Sequence, residues 1–202
     1  MLIFDDGIKP RGANSIEWQR NSFLNKATEQ AIEADLAKGA TKQAFRAIVD
    51  LYSERLYWHI RTLVDQHEPA DDVLQNTFIK VWQNLARFRG DAQLYTWLYR
   101  IATNEALGYL RKEKKNKIFS GPLSDYQQEM AADPYFEGDE AERLLLAALQ
   151  KLPPKQQAVF KLKYFREMKY QEMAQMLDTS VGALKASYHH ASEKIKKFIR
   201  QH

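Results

Sequence analysis

The residues of this chain best suited to chemistry are the cations, amides and aromatics set at helical spacing between Arg87 and Lys112. Arg87 and Arg89 flank Phe88, Gly90 permits a sharp turn, and Asp91 can cap a helix that runs into Leu94 and beyond. On a period of 3.6, Leu94, Leu98, Ile101, Ala102, Ala106 and Tyr109 share one broad face. Thr96, Arg100, Thr103, Asn104, Leu107 and Arg111 share the other. Trp97 lies near the boundary, Tyr95 and Tyr99 stand beside the polar face, and Glu105 interrupts the apolar stripe. Cations that neutralise phosphates, beside amides, hydroxyls and rings that hold bases, fit a nucleic-acid surface. An ordinary amphipathic helix with a solvated face has the same pattern.

No arrangement of residues argues for catalysis. His189 and His190 are adjacent and point to different faces of a helix, so they cannot share a metal as an i, i+4 pair could. His59 and His67 have no carboxylate or thiol company in the sequence. Asp5-Asp6 and Asp71-Asp72 read more simply as solvated or helix-capping acids than as general acid–base pairs. The glycines are scattered and form no phosphate loop. The chain is therefore expected not to be an enzyme and to need no cofactor or metal.

Composition and charge set the frame for these residues. The 202 residues contain no cysteine, which suits a reducing cytoplasm and excludes a disulfide framework or thiolate zinc site. The N-terminus lacks a secretory pattern, and no apolar run approaches a membrane span, so no membrane insertion is expected. The net charge of +4 is unevenly spread. Arg111, Lys112, Lys114, Lys115 and Lys117 form one basic run, and Lys185, Lys194, Lys196, Lys197 and Arg200 another. Between them lies an acidic stretch from Asp125 to Glu142. Two basic units with an acidic connector fit a protein that touches one polyanion at two places.

The pattern predicts an all-α fold of two small helical domains joined by a flexible acidic linker. Residues 1–27 carry turn formers without a sustained period and read as an arm. Residues 28–117 form the first domain: a helix capped by Thr28, a long helix from Thr41 to about Gln66, a helix opened by Pro69, and the helix through Leu94. Residues 118–139 hold Gly121, Pro122, Pro134 and Gly138 and read as the linker. Residues 140–202 hold four helices, with breaks at Pro153-Pro154 and at Asp178-Thr179-Ser180.

Tyr170 to His190 has the logic of a helix-turn-helix. Ala174 allows close crossing, while Leu177, Val181 and Leu184 fix the angle. The second helix then offers Ser180, Ala183, Lys185, Ala186 and His189 outward. Short side chains let its backbone approach a major groove, and Lys185 can reach a phosphate or a guanine edge.

Three motifs in order resemble bacterial RNA polymerase sigma factors of the extracytoplasmic-function group. Asp71-Asp72-Val73-Leu74-Gln75-Asn76-Thr77-Phe78-Ile79-Lys80-Val81-Trp82 resembles their polymerase-binding helix. Phe88-Arg89-Gly90-Asp91, with Tyr95-Thr96-Trp97-Leu98-Tyr99-Arg100-Ile101-Ala102-Thr103-Asn104, resembles their promoter-melting region. Leu152-Pro153-Pro154-Lys155-Gln156-Gln157, followed by the helix-turn-helix, resembles their second promoter-reading domain.

The resemblance implies a partner, core RNA polymerase, contacted at the clamp helices of its largest subunit through Asp71, Asp72, Gln75, Asn76 and Lys80. It implies that Arg87, Phe88, Arg89, Tyr95 and Thr96 build a pocket for a flipped base of the minus-ten element. Asn104 would read a base there, with Arg100, Arg111 and Lys112 on the backbone. Thr179, Ser180, Ala183, Lys185, Ala186 and His189 would meet the minus-thirty-five duplex. An anti-sigma partner is a further implication. Asn76 stands where the family often has an acid and Gly108 where Asp is usual; Ser187, His190 and Ser192 replace frequent arginines. The alternative is a helix-turn-helix regulator that binds duplex DNA as a dimer without polymerase; the sequence offers no obvious dimerisation helix or ligand domain for it.

Overall fold

The computed structural model describes residues 28–64, 67–119 and 140–201, and these are helical with short connections. The helices are α1 (28–37), α2 (Thr41–Val64), α3 (His67–Leu85), α4 (Leu94–Phe119), α5 (Glu140–Lys151), α6 (Pro154–Tyr164), α7 (Tyr170–Leu177) and α8 (Val181–Gln201). There is no strand among the described residues. The N-terminal arm and the acidic linker proper lie outside them. Two compact units result, and the dividing line falls inside α4, after Ala106.

The first unit is held by apolar stripes at helical spacing. α2 buries Ala44, Ile48, Tyr52, Leu56, Ile60 and Leu63, every third or fourth residue. α3 contributes Ala70, Val73, Val81 and Leu85, and α4 contributes Leu94, Leu98, Tyr99, Ala102 and Ala106. α1 adds Ile32. It stops at Gly39, whose φ of +74° takes the left-handed conformation that favours glycine. Gly39 N–H donates to Leu36 O at 3.0 Å and Ala40 N–H to Asp35 O at 2.8 Å, so the helix end satisfies its own carbonyls. Tyr52 donates its hydroxyl to Glu29, and burial pushes its pKa above the usual phenol value.

The second unit contains a core of Leu145, Ala148, Leu149 and Leu152 from α5, Phe160 from α6, and Ala191 and Ile195 from α8. Phe160 stacks on Tyr164 at 5.2 Å and on Tyr188 at 5.5 Å, so three rings form one column. α6 opens with Pro154 at a position where the missing N–H has no cost, preceded by Pro153 in an extended conformation. Asp178, at φ +48°, follows directly on the last residue of α7. Ser180 Oγ then accepts the N–H of Ala183 at 3.2 Å and so caps the last helix.

Packing corrects the expected faces of α4. Thr96, Thr103 and Leu107, placed outside by spacing, are buried. Thr103 Oγ1 donates to Tyr99 O at 2.7 Å and lies 2.8 Å from His59 Nε2, so α2 supplies the polar partner that lets a hydroxyl sit inside. Ile101, placed inside, is half-buried. α3 also begins at His67 rather than Pro69; proline is tolerated there because the first turn has no intrahelical N–H bonds to lose.

Candidate nucleic-acid interface

α3 presents two different surfaces, and helical geometry explains why. Gln75, Phe78, Ile79 and Trp82 recur at three and four residues and face α2. With Lys42, Phe45, Arg46, Val49 and Gln83 they line an open groove of about 640 Å³. Phe45 holds the groove floor edge-on to Phe78 at 6.3 Å and to Trp82 at 5.1 Å. Ile79 is 48% and Trp82 43% exposed, large apolar side chains left partly in water. Asp71, Asp72, Gln75 and Asn76 are all exposed on the same helix. Of the residues the sequence assigned to a protein partner, Gln75 lines this groove.

Lys80 belongs to the other surface. One hundred degrees further round the helix from Ile79, it turns toward α4, where its Nζ lies 2.6 Å from Glu105 Oε1. Lys80, Asn84, Trp97, Ile101, Asn104 and Glu105 line a cleft of about 230 Å³. The ion pair accounts for Glu105, the acid that interrupts the apolar stripe of α4. Asn84 donates its amide to Lys80 O at 2.8 Å, which fixes the rim on the α3 side. Asn104 is exposed, and its amide has no hydrogen-bond partner among the described residues.

The loop between α3 and α4 brings the arginines to this end of the helix. Arg87 and Phe88 N–H groups turn back onto Asn84 O and Leu85 O at 2.9 and 3.1 Å, closing α3. Gly90 then adopts φ +76°. Arg87 and Arg89 are exposed, and Phe88 packs on Trp97 at 5.1 Å. Tyr95 is half-buried against Tyr99 at 4.2 Å. Thr96 is buried, so its side chain is closed to a ligand in this conformation. Arg100 is half-buried; Arg111 and Lys112 are exposed on the part of α4 that belongs to the second unit. Sequence reasoning missed Lys80, Asn84 and Glu105 as cleft residues; the break in the stripe at Glu105 was the available signal.

In the second unit Ser180, Ala183, Lys185, Ala186 and His189 are exposed on α8, and Thr179 is half-buried at its start. Lys155 Nζ donates to Thr179 Oγ1 at 2.8 Å, bringing a cation to the N-terminal end of that helix. Lys163 and Lys185 approach the Tyr170 ring at 5.2 and 5.9 Å. Lys155 and Tyr170 were not among the sequence candidates; only the fold brings them beside α8. Among the described residues no group of His, Cys, Asp and Glu is placed to hold a metal ion, and no helix is long and apolar enough to cross a membrane.

Residues 48–116 match the family model for Sigma-70 region 2, and residues 142–195 match that for Sigma-70, region 4. The RNA polymerase sigma-H factor of Pseudomonas aeruginosa is 31% identical over 194 residues, covering 88% of this chain and 97% of the relative. The ECF RNA polymerase sigma factor SigW of Bacillus subtilis is 29% identical, covering 81% of this chain and 92% of its own. Among solved structures, CnrH in complex with the cytosolic domain of CnrY shares the fold at a TM-score of 0.55 and 22% identity, over 86% of this chain and 98% of that one. The sigma factor RpoE of Bartonella quintana, solved with the anti-sigma factor NepR, does so at 0.51 and 20%, over 77% and 96%. The order of the two matched regions, the helix-turn-helix and the full-length relatives agree: the chain belongs to the RNA polymerase sigma factors of the extracytoplasmic-function group.

Proposed function

We propose that this protein binds core RNA polymerase and directs it to promoters, opening the minus-ten element with its first domain and reading the minus-thirty-five element with its helix-turn-helix. The observation that carries the reading is the division of α3 between an exposed apolar groove and a polar cleft that contains Asn104. One helix can then hold a protein partner on one side and an unstacked base on the other. The groove, lined by Gln75 and by the exposed Ile79 and Trp82, with Asp71, Asp72 and Asn76 exposed on the same helix, supports contact with the clamp helices of the largest subunit. The protein itself carries out no catalysis; strand opening comes from trapping a base whose unstacking costs a few kcal/mol, offset by cleft contacts.

In this reading Arg87, Phe88 and Arg89, with Tyr95, border the base site and Arg100, Arg111 and Lys112 hold the backbone. Thr179, Ser180, Ala183, Lys185, Ala186 and His189 face the duplex. The functional domains are 28–117 and 140–202, with 1–27 as an arm and 118–139 as the connector. The protein acts in the cytoplasm, where polymerase is. An anti-sigma factor would act by covering one of these surfaces; the structurally similar RpoE of Bartonella quintana was solved in complex with the anti-sigma factor NepR.

The test is reconstitution with purified core polymerase on a promoter library. Co-elution with polymerase and start-site-specific transcripts are expected. Duplex binding with a twofold footprint and no polymerase association would replace the reading with a dimeric regulator.

A further inference from the structure

We infer that His189 makes duplex binding by α8 depend on pH: once protonated, it adds a phosphate contact that the neutral ring cannot make. The inference rests on the proposed reading of the minus-thirty-five element by this helix and adds a condition under which that reading is strong.

The exposed start of α8 is short of permanent charge. From Val181 to Ser192 the helix carries one lysine, Lys185, and no arginine or carboxylate. Gly182, Ala183 and Ala186 are exposed but bring no charge, and Ser180 Oγ is used on the N–H of Ala183. The other exposed residues of this stretch are His189 and His190. Histidine is the side chain whose charge changes between about pH 5 and 8. Protonation of His189 therefore raises the charge of this stretch from one cation to two.

Helical spacing selects His189 over His190. His189 stands four residues after Lys185 and three after Ala186, so it continues the stripe that faces the duplex. His190 stands four residues before Lys194, whose Nζ donates to Gln156 Oε1 at 3.0 Å, so its stripe runs toward the start of α6. The two rings are 5.9 Å apart, and a second proton on the pair meets the repulsion of the first. One added charge is expected, not two.

The surroundings keep their charge while His189 changes. Glu193 lies one turn further along α8 and accepts from Lys196 Nζ at 3.0 Å. That hydrogen bond and the charge of Lys196 hold its carboxyl below the usual carboxylate range, so it is ionised throughout. From α6, Lys155 reaches the start of α8 through Thr179, and Lys163 lies over the Tyr170 ring of α7 at 5.2 Å. Burial raises the hydroxyls of Tyr170 and Tyr188 above the usual phenol value, so both stay neutral. α5 meets α8 through apolar residues packed with Ala191 and Ile195. With the His189 ring neutral, the Glu193 carboxylate is the next charge after Lys185 on the stripe and opposes a phosphate there. With the ring protonated, a cation stands between them and attracts it. DNA then favours the protonated ring, so affinity rises as pH falls through the histidine range.

The test uses the full chain assembled with core polymerase. The probe is the upstream fragment of a promoter selected in the reconstitution, cut before the minus-ten element. Anisotropy gives the affinity over a salt series at about pH 5.5 and about pH 8, on either side of the histidine range. The wild type is expected to show a slope of log affinity against log salt that is steeper by up to about 0.9 at the lower pH. His189→Gln stays neutral and should show one slope at both pH values. His189→Arg stays charged and should hold the steeper slope at both. His190→Gln should keep the wild-type difference. A difference that survives in His189→Gln, or is lost in His190→Gln, places the proton elsewhere and overturns the assignment. Equal wild-type slopes at the two pH values show that His189 meets no phosphate and overturn it as well. Failure of the wild-type complex to prefer this fragment over unrelated duplex at either pH, with polymerase co-eluting, contradicts the underlying reading of α8.

Discussion

Lys80 Nζ lies 2.6 Å from Glu105 Oε1, so an ion pair ties α3 to α4 across the cleft that contains Asn104. The lysine side chain is 52% exposed and the glutamate 20%, so water screens the attraction. A pair of this kind contributes about 0.2–1 kcal/mol to folding. Glu105→Gln and Lys80→Met should therefore each lower stability by no more than about 1 kcal/mol, and a double-mutant cycle should return a coupling in that range. Urea unfolding measures it. A coupling of several kcal/mol would mark the pair as a fold determinant rather than a component of a binding edge.

Thr103 and Asn104 are neighbours on α4 with opposite exposures, and their substitution should separate stability from function. Thr103 Oγ1 spends its hydrogen on Tyr99 O, so it accepts from His59 Nε2, which carries the ring proton. Thr103→Val removes that acceptor from a buried hydrogen bond, at a cost of about 1–3 kcal/mol. Asn104→Ala touches an exposed amide and should change stability by less than about 0.5 kcal/mol. It should nonetheless reduce promoter opening on duplex templates while polymerase binding holds. Thermal unfolding and permanganate footprinting of the melted strand give the two readouts. Equal loss of polymerase binding and opening in Asn104→Ala would remove its assigned role.

The groove between α2 and α3 makes a separate prediction. Trp82 is 43% exposed and already held edge-on by Phe45, so its ring is partly preorganised for a partner. Truncation of a central aromatic anchor typically costs an interface about 2 kcal/mol or more. Trp82→Ala should weaken core polymerase association by roughly thirtyfold, with little effect on binding of premelted DNA by assembled complexes at saturating protein. Fluorescence titration with labelled polymerase measures the affinity, and an unchanged dissociation constant would place the polymerase contact elsewhere.

The helices and their ends were legible because local chemistry sets them. Ser180 caps α8 through a bond three residues away, and Gly39 stops α1 with the conformation glycine favours. The helix-turn-helix follows from such signals plus the stripe of Leu184, Ala191 and Ile195. The faces of α4 were less legible. A period of 3.6 puts Thr103 with the polar residues, and only the arrival of His59 from α2, 44 positions earlier, explains its burial. Glu105 looked like a fault in the stripe because Lys80 reaches it from another helix. The same limit hid the split of the α3 surface: Gln75 and Lys80 look equivalent in sequence, and the groove shared with α2 on one side and the ion pair to α4 on the other separate them.

The exposed start of α8 makes a prediction about salt. Each phosphate neutralised by a cation contributes about 0.9 to the slope of log affinity against log salt on duplex DNA. Lys185 is exposed beside Tyr170, and Lys155 is held at the helix start through Thr179. If both meet phosphates, Lys155→Ala and Lys185→Ala should each lower the slope by about 0.9, and the double substitution by about twice that, with similar losses on all minus-thirty-five sequences. If Lys185 instead reaches a guanine edge, its removal should relax preference at one base pair beyond the change in slope. Ser180→Ala removes the cap and should cost about 1 kcal/mol of stability without altering the slope, since it carries no charge. Anisotropy titrations of the polymerase complex over a salt series separate these outcomes. A slope unaffected by either lysine would show that this end of α8 does not lie on the DNA backbone.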